Sequence, residues 1–207
     1  MRQMLNKPLS SLSFTAFDFE TTGLYPDKDR IIEIGAVKFD LKGDEYRFSG
    51  LINPGVSIPS GASAVNNIYD KDVADKPPIE EIMPAFINFV DDSVLIAHNI
   101  GFDASFLMQT NERLGLKTPD LICLDTILLA KQYFKGLYSY SLENISKAIG
   151  INIENAHRAE DDAEACMKLF LKCLKKIPDY SYLELKGLLK HSGLRKKTLV
   201  QNYAAGR

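Results

Sequence analysis

Three short acidic segments, far apart in the chain, hold the residue types that a metal-dependent hydrolase needs. They are Asp18-Phe19-Glu20-Thr21-Thr22-Gly23, Ala97-His98-Asn99-Ile100-Gly101-Phe102-Asp103 and His157-Arg158-Ala159-Glu160-Asp161-Asp162. Together they supply four carboxylates, Asp18, Glu20, Asp103 and Asp162, and a histidine, His157. Two divalent cations about 4 Å apart can clamp the attacking and leaving oxygens of an in-line displacement at phosphorus. Oxygen-rich ligands favour Mg2+ or Mn2+ over zinc. A histidine that titrates near neutrality suits the general base for the attacking water. The chemistry these residues point to is phosphodiester hydrolysis.

Each segment is ambiguous by itself. Asp18 and Glu20 stand two apart on an expected strand, so both project from one face of a sheet. Such a pair is most often solvent-facing, but the surrounding Phe14, Ala16, Phe17 and Phe19 make this strand strongly apolar. Carboxylates buried there repel one another unless a cation lies between them. Asp103 falls at the start of an expected helix, where the macrodipole favours any carboxylate. It also follows a short apolar strand, and ligand sites in α/β folds gather where strands end. His98 and Asn99 either orient a substrate or satisfy buried backbone, and the structural role is preferred for His98. His157 stands five residues before Asp162, near the start of another expected helix. Asp161 competes for the ligand role, but helix neighbours point about 100° apart, so only one of the two faces the metals.

The elements that must position these residues follow from pattern. Apolar, β-branched and aromatic runs predict strands over residues 14–19, 31–39, 46–52, 94–97 and 121–124, with a turn at 40–44 joining the second to the third. Helical spacing predicts helices over 79–90, 102–114, 126–133, 141–149, 161–174 and 180–189. Ser141 is an N-cap candidate and Gly150 a C-terminal stop. A meander followed by alternating helix and strand gives an α/β layer fold with a mixed sheet.

Composition sets outer bounds. The chain has 207 residues, 45% hydrophobic and 25% charged, which fits one globular domain with an ample core. The expected division is an N-terminal extension over 1–12, a main domain over 13–178 and a basic C-terminal helix and tail over 179–207. No apolar run reaches the roughly 20 residues of a membrane span, and no secretory signal is evident. Three cysteines without a C-x-x-C pair suggest a reduced, cytoplasmic protein. The net charge of −2 argues against a generally nucleic-acid-coating chain. Lys186, Lys190, Arg195, Lys196, Lys197 and Arg207 nevertheless cluster near the end, as a solvated tail or a phosphate-contacting patch.

At these residues the chain resembles the DnaQ-like family of 3′–5′ exonucleases, in its DEDDh branch. The motifs occur in family order: Asp18-x-Glu20-Thr-Thr-Gly-Leu24, His98-Asn99-x-x-Phe102-Asp103 and His157-Arg-Ala-x-x-Asp162. Histidine five residues before the last aspartate marks this branch rather than the one using tyrosine. Further matches are residues 30–37 and 140–142, so the resemblance spans about residues 14–176. It is strongest to the proofreading exonucleases of bacterial DNA polymerase III, of the epsilon type. The resemblance implies a ribonuclease H-like three-layer fold, with a central mixed five-stranded sheet flanked by helices. It also implies two-metal hydrolysis at the single-stranded or frayed 3′ end of DNA, releasing nucleoside 5′-monophosphates, with a DNA polymerase subunit as partner. Thr21, Gly23 and Leu24 are expected around the terminal nucleotide, with Asn99 and Phe102 facing substrate, or Phe102 as plain core. One departure is Val65-Asn66-Asn67-Ile68, where the family often reads V-H-G-I. Alternatives are an RNA-trimming nuclease of the same superfamily and an inactive module that only binds a polymerase or nucleic acid.

Overall fold

The computed structural model describes residues 2–118, 121–154 and 156–191. In chain order, β1 is Ser13–Thr21, β2 is Ile31–Asp40, β3 is Glu45–Leu51, β4 is Ser93–Ala97 and β5 is Ile122–Asp125. The helices are α1 Arg2–Leu5, α2 Ser60–Asn66, α3 Asp70–Val73, α4 Ile79–Val90, α5 Ile100–Arg113, α6 Thr126–Tyr133, α7 Leu142–Ile149, α8 Ala159–Leu174 and α9 Leu185–His191. The strands form one sheet in the order β3-β2-β1-β4-β5. The meander pairs β1 with β2 and β2 with β3 antiparallel, whereas β4 joins β1, and β5 joins β4, in parallel. This is the expected mixed five-stranded sheet.

Side-chain alternation along β1 divides the core into two layers. Phe14 and Ala16 point to the layer holding α6, α7 and α8, where Leu129, Ile145, Ala163 and Phe170 are buried. Phe17 and Phe19 point the other way, to Met83, Phe86 and Val90 of α4 and Phe106 of α5. By the same period, Asp18 and Glu20 lie on the α8 side. The sheet is therefore a wall with helices on both faces, and β1 at its centre carries the first acidic pair.

The expected strands and the first five of the six expected helices are present, with ends shifted by a few residues. The last expected helix is instead a 3-10 turn at Tyr180–Tyr182 followed by α9. Three short helices were not read from sequence. Of these, α2 is Ser-Gly-Ala-Ser-Ala-Val-Asn, too short and too poor in large apolar residues to show a period. The N-terminal segment meets the C-terminal one: the Leu9 amide donates to Leu183 O at 2.9 Å and the Leu185 amide to Lys7 O at 3.1 Å. Leu9 and Leu12 share a core cluster with Leu185, Leu188 and Leu189. Of the expected basic tail, Arg195, Lys196, Lys197, Arg207 and the side chain of Lys190 lie outside the described residues. Lys186 Nζ is engaged by Glu184 Oε2 at 2.6 Å and Asn6 Oδ1 at 2.9 Å. Among the described residues, no helix is long and apolar enough to cross a membrane.

Phe86 is fully buried among the rings of Phe17, Phe19 and Phe48, with centroids at 6.0, 5.5 and 5.6 Å. Phe86→Ala leaves a cavity there and is expected to cost about 3–5 kcal/mol of stability in urea unfolding.

Candidate active site

The parallel ladder between β1 and β4 runs only to the Ala16–Ile96 pair. Beyond it β4 ends, and the chain turns through Asn99, in left-handed conformation at φ 72°, into α5. The Asp125 carboxylate, at the end of β5, steadies this turn by accepting the Asn99 amide at 3.3 Å while capping α6 through Ile127 N at 2.8 Å. The turn brings Asp103 back over β1. Its Oδ1 accepts the Phe19 amide at 3.1 Å, taking up a backbone donor that the shortened ladder leaves without a strand partner. Asp103 is buried and lies close enough to Asp18 to raise that residue's pKa.

The third segment arrives from the other side. His157 has a left-handed backbone at φ 64°, and its amide donates to Asp162 Oδ2 at 3.1 Å. Side-chain ligand atoms of Glu20, His157 and Asp162 all lie within 4.8 Å of one another. Asp162 is thus the member of the Asp161–Asp162 pair that faces Glu20. Asp161 borders a neighbouring cleft with Arg47 and Arg158.

The electrostatics express this crowding. Burial, followed by Asp103, Glu20 and Asp162, holds Asp18 well above the usual carboxylate range. Glu20 is pushed up to about 8, first by burial and then by Asp162 and Glu33. Burial likewise raises Asp103 to about 8 against the opposing Phe19 hydrogen bond, and raises Asp162 to about 6 against the His157 amide. Two acids on β1, Asp18 and Glu20, with Asp103 of α5 and Asp162 of α8 beside them, fit a divalent cation by charge and by ligand chemistry.

The remaining expected residues divide by environment. Thr21 is buried and its Oγ1 donates to Gly23 O at 2.6 Å. A Cβ at Gly23 would stand 2.4 Å from Asp29 Oδ2, and that carboxylate accepts the Tyr25 amide at 2.8 Å, so glycine permits the tight loop. Leu24, on this loop, is 74% exposed. Phe102 is half-buried and packs on Phe106 at 5.0 Å, on the edge of the core. His98 Nε2 meets Tyr140 O, and Nδ1 meets Thr126 Oγ1, each at 2.8 Å. A carbonyl can only accept, so Nε2 carries the proton, and burial lowers the ring's pKa. A neutral imidazole tying α6 and residue 140 to the end of β4 is the structural role expected for it.

Two residues took on importance only in the structure. Asn66, at 2% exposure, sends its amide toward Thr21 O at 3.5 Å and also hydrogen-bonds Glu20, favouring that carboxylate's charged form. Its Oδ1 accepts the Ile68 amide at 3.1 Å. Glu33, at 4% exposure, stands opposite Glu20 in the β1–β2 register and binds Arg158. Its signal in the sequence was a lone acid in the apolar run Ile31-Ile32-Glu33-Ile34-Gly35-Ala36-Val37.

These shifts fix the sign of a pH effect in metal-free protein. Between pH 6.5 and 8, folded Glu20 and Asp103 hold protons that the unfolded chain, with ordinary values of 4.5 and 3.8, has released. Stability therefore falls as pH rises through this window. His98 acts in the opposite sense, but its contribution is complete above its ordinary value of 6.5. The expected drop in Tm is on the order of a few °C, and excess Mg2+ should raise Tm more at pH 8 than at 6.5. Calorimetric melts with chelator and with Mg2+ check both; a Tm that climbs toward pH 8 without metal contradicts the electrostatics.

Comparison with known proteins agrees with this geometry. The family model RNase_T, described as Exonuclease, matches residues 15–170, a span that holds all three acidic segments. The chain is 46% identical over 164 residues to DNA polymerase III subunit epsilon of Treponema pallidum (strain Nichols), covering 77% of this chain and 75% of that protein. It is 37% identical over 166 residues to a PolC-type DNA polymerase III of Caldanaerobacter subterraneus subsp. tengcongensis, covering 80% of this chain but only 12% of that protein. Among solved structures, exonuclease X in complex with 5′-overhanging duplex DNA aligns with TM-score 0.67 and 25% identity, covering 87% of this chain and 99% of that one. Exonuclease I shares the fold at TM-score 0.72 and 20% identity, over 83% of this chain and 42% of that one. With its match running from β1 into α8, the chain belongs to the RNase T family of exonucleases.

Proposed function

We propose that the chain is a metal-dependent 3′–5′ exonuclease that hydrolyses DNA from single-stranded or frayed 3′ ends, releases nucleoside 5′-monophosphates and works beside a DNA polymerase in proofreading. The observation that carries this reading is the meeting of Glu20, His157 and Asp162 within 4.8 Å, beside the electrostatically linked Asp18 and Asp103. Asp18, Glu20, Asp103 and Asp162 would hold two divalent cations, Mg2+ or Mn2+. Bound there, the cations supply positive charge against the phosphoryl oxygens and the leaving 3′ oxygen. His157 is exposed at the mouth of the site, where it can take a proton from the attacking water and pass it to solvent. The loop of Thr21, Gly23 and Leu24 follows the same strand and would receive the terminal nucleotide, with Asn99 and Phe102 as further substrate contacts.

The polymerase setting is supported by the relatives, which are named as a polymerase III subunit and as parts of polymerase III chains. DNA is favoured as substrate because exonuclease X is described in complex with DNA. An RNA-trimming activity uses the same site chemistry and is separated by rates on matched DNA and RNA strands. A purely binding module is disfavoured by the complete acid set and His157. Three free cysteines suit a cytoplasmic setting.

The deciding assay is product analysis on 5′-labelled single-stranded, matched and 3′-mismatched DNA, with and without Mg2+. Stepwise shortening from the 3′ end, fastest on frayed ends and dependent on the cation, is the expected result. RNA degraded at least as fast as DNA would overturn the proofreading reading. Asp18→Ala and Asp162→Asn are expected to bring hydrolysis to background while the fold persists. His157→Ala should lower kcat by about 10²–10⁴-fold and alter the pH profile. An unaltered profile removes His157 as the base.

A further inference from the structure

We propose that Glu33 and Arg158 are positioning residues for the hydrolysis described above, setting where His157 and Asp162 stand relative to Glu20. The inference rests on that functional reading and on a contact between β2 and the start of α8. The residue at the N-cap of α8 is Arg158, whose side chain offers no oxygen to the first-turn amides. The cap comes instead from another element: Glu33 Oε2, on β2, accepts the Ala159 amide at 3.0 Å. The same carboxylate receives Arg158 in a fork, with Nη2 at 2.6 Å from Oε1 and Nε at 3.1 and 3.2 Å from the two oxygens.

The strand and helix also touch without an intervening side-chain layer. A Cβ at Gly35 would lie 2.0 Å from Ala159 C and 2.2 Å from both Ala159 O and Glu160 N. Glu33 and Gly35 share one face of β2 by strand period, so the two form a seat for the first turn of the helix. That turn carries Asp162, and the residue before Arg158 is His157, whose amide is bound to Asp162 Oδ2. A shift of Arg158 is thus passed to both. On its other side Glu33 is register-paired with Glu20, so one side chain lies between the first and third acidic segments. Glu33 is also a fifth acid beside four others, and the Arg158 fork neutralises it, leaving the four to a cation.

The test uses the full chain with Glu33→Gln, which keeps size but loses charge, and Arg158→Lys, which keeps charge but loses the fork. Both are expected to lower kcat by about 10–100-fold with KM for a single-stranded oligonucleotide unchanged. Both should also weaken Mn2+ binding measured by calorimetry without nucleic acid. Wild-type kcat and Mn2+ affinity in folded variants would overturn the proposal. So would a loss confined to KM, which would make Arg158 a substrate contact. If Glu33→Gln does not fold, the half-exposed Arg158 position still decides the question. If the wild type cleaves no strand, the functional reading fails, whereas the Mn2+ titrations still report on positioning.

Discussion

The burial of neighbouring carboxylates is the constraint on which this structure turns. Burial first, and for Asp18 and Glu20 the neighbouring acids as well, makes each of Asp18, Glu20, Asp103 and Asp162 costly to ionise in the absence of a cation. A chain selected for stability alone would spread such groups over its surface. Here the two-layer core holds them in place. Phe14 and Ala16 anchor β1 on one face, Phe17 and Phe19 anchor it on the other, and the acids occupy the one strand end where apolar packing gives out. Apolar burial, worth roughly 25 cal/mol per Å², offsets electrostatic strain that the site retains until a cation binds.

Around these acids, the supporting groups are neutral or already committed. His98 is occupied by Tyr140 O and Thr126, Asn66 spans Glu20, Thr21 and Ile68, and Arg158 is taken by Glu33. Among the described residues, no lysine or arginine is ion-paired with Asp18, Glu20, Asp103 or Asp162. The framework thus orients the carboxylates without discharging them, which is what a cation-binding site requires.

Much of this was legible in the sequence, and the reason is periodicity. β1 and β2 are long enough, and α4 and α8 amphipathic enough, to announce themselves, and their acids stand out against apolar neighbours. What escaped was set by tertiary contact. α2 and α3 are short and polar, and they are held against the sheet by Asn66, Ile68 and Val73 rather than by their own propensity. Glu33 passed as one residue of a strand and of a family match, because its partners, Arg158 and the Ala159 amide, lie more than a hundred residues away. Asn66 was visible only as a departure from a family pattern. Its role depends on Thr21 and Glu20 being adjacent in space, which the sequence around residue 66 does not reveal.

The wide separation of Asp18, Asp103 and Asp162 along the chain has a consequence in time as well as in space. The central strand is early in the chain, but its acids acquire their last partner only when α8, from Ala159 onward, docks on Gly35. Contacts this remote in sequence are made late, since chain closure must precede them. A growing polypeptide therefore carries only the first two acidic segments between the synthesis of Asp103 and that of His157, and that portion lacks both Asp162 and His157. Destructive chemistry becomes available only to the completed fold, so the order of the segments serves as a safeguard that needs no separate inhibitor.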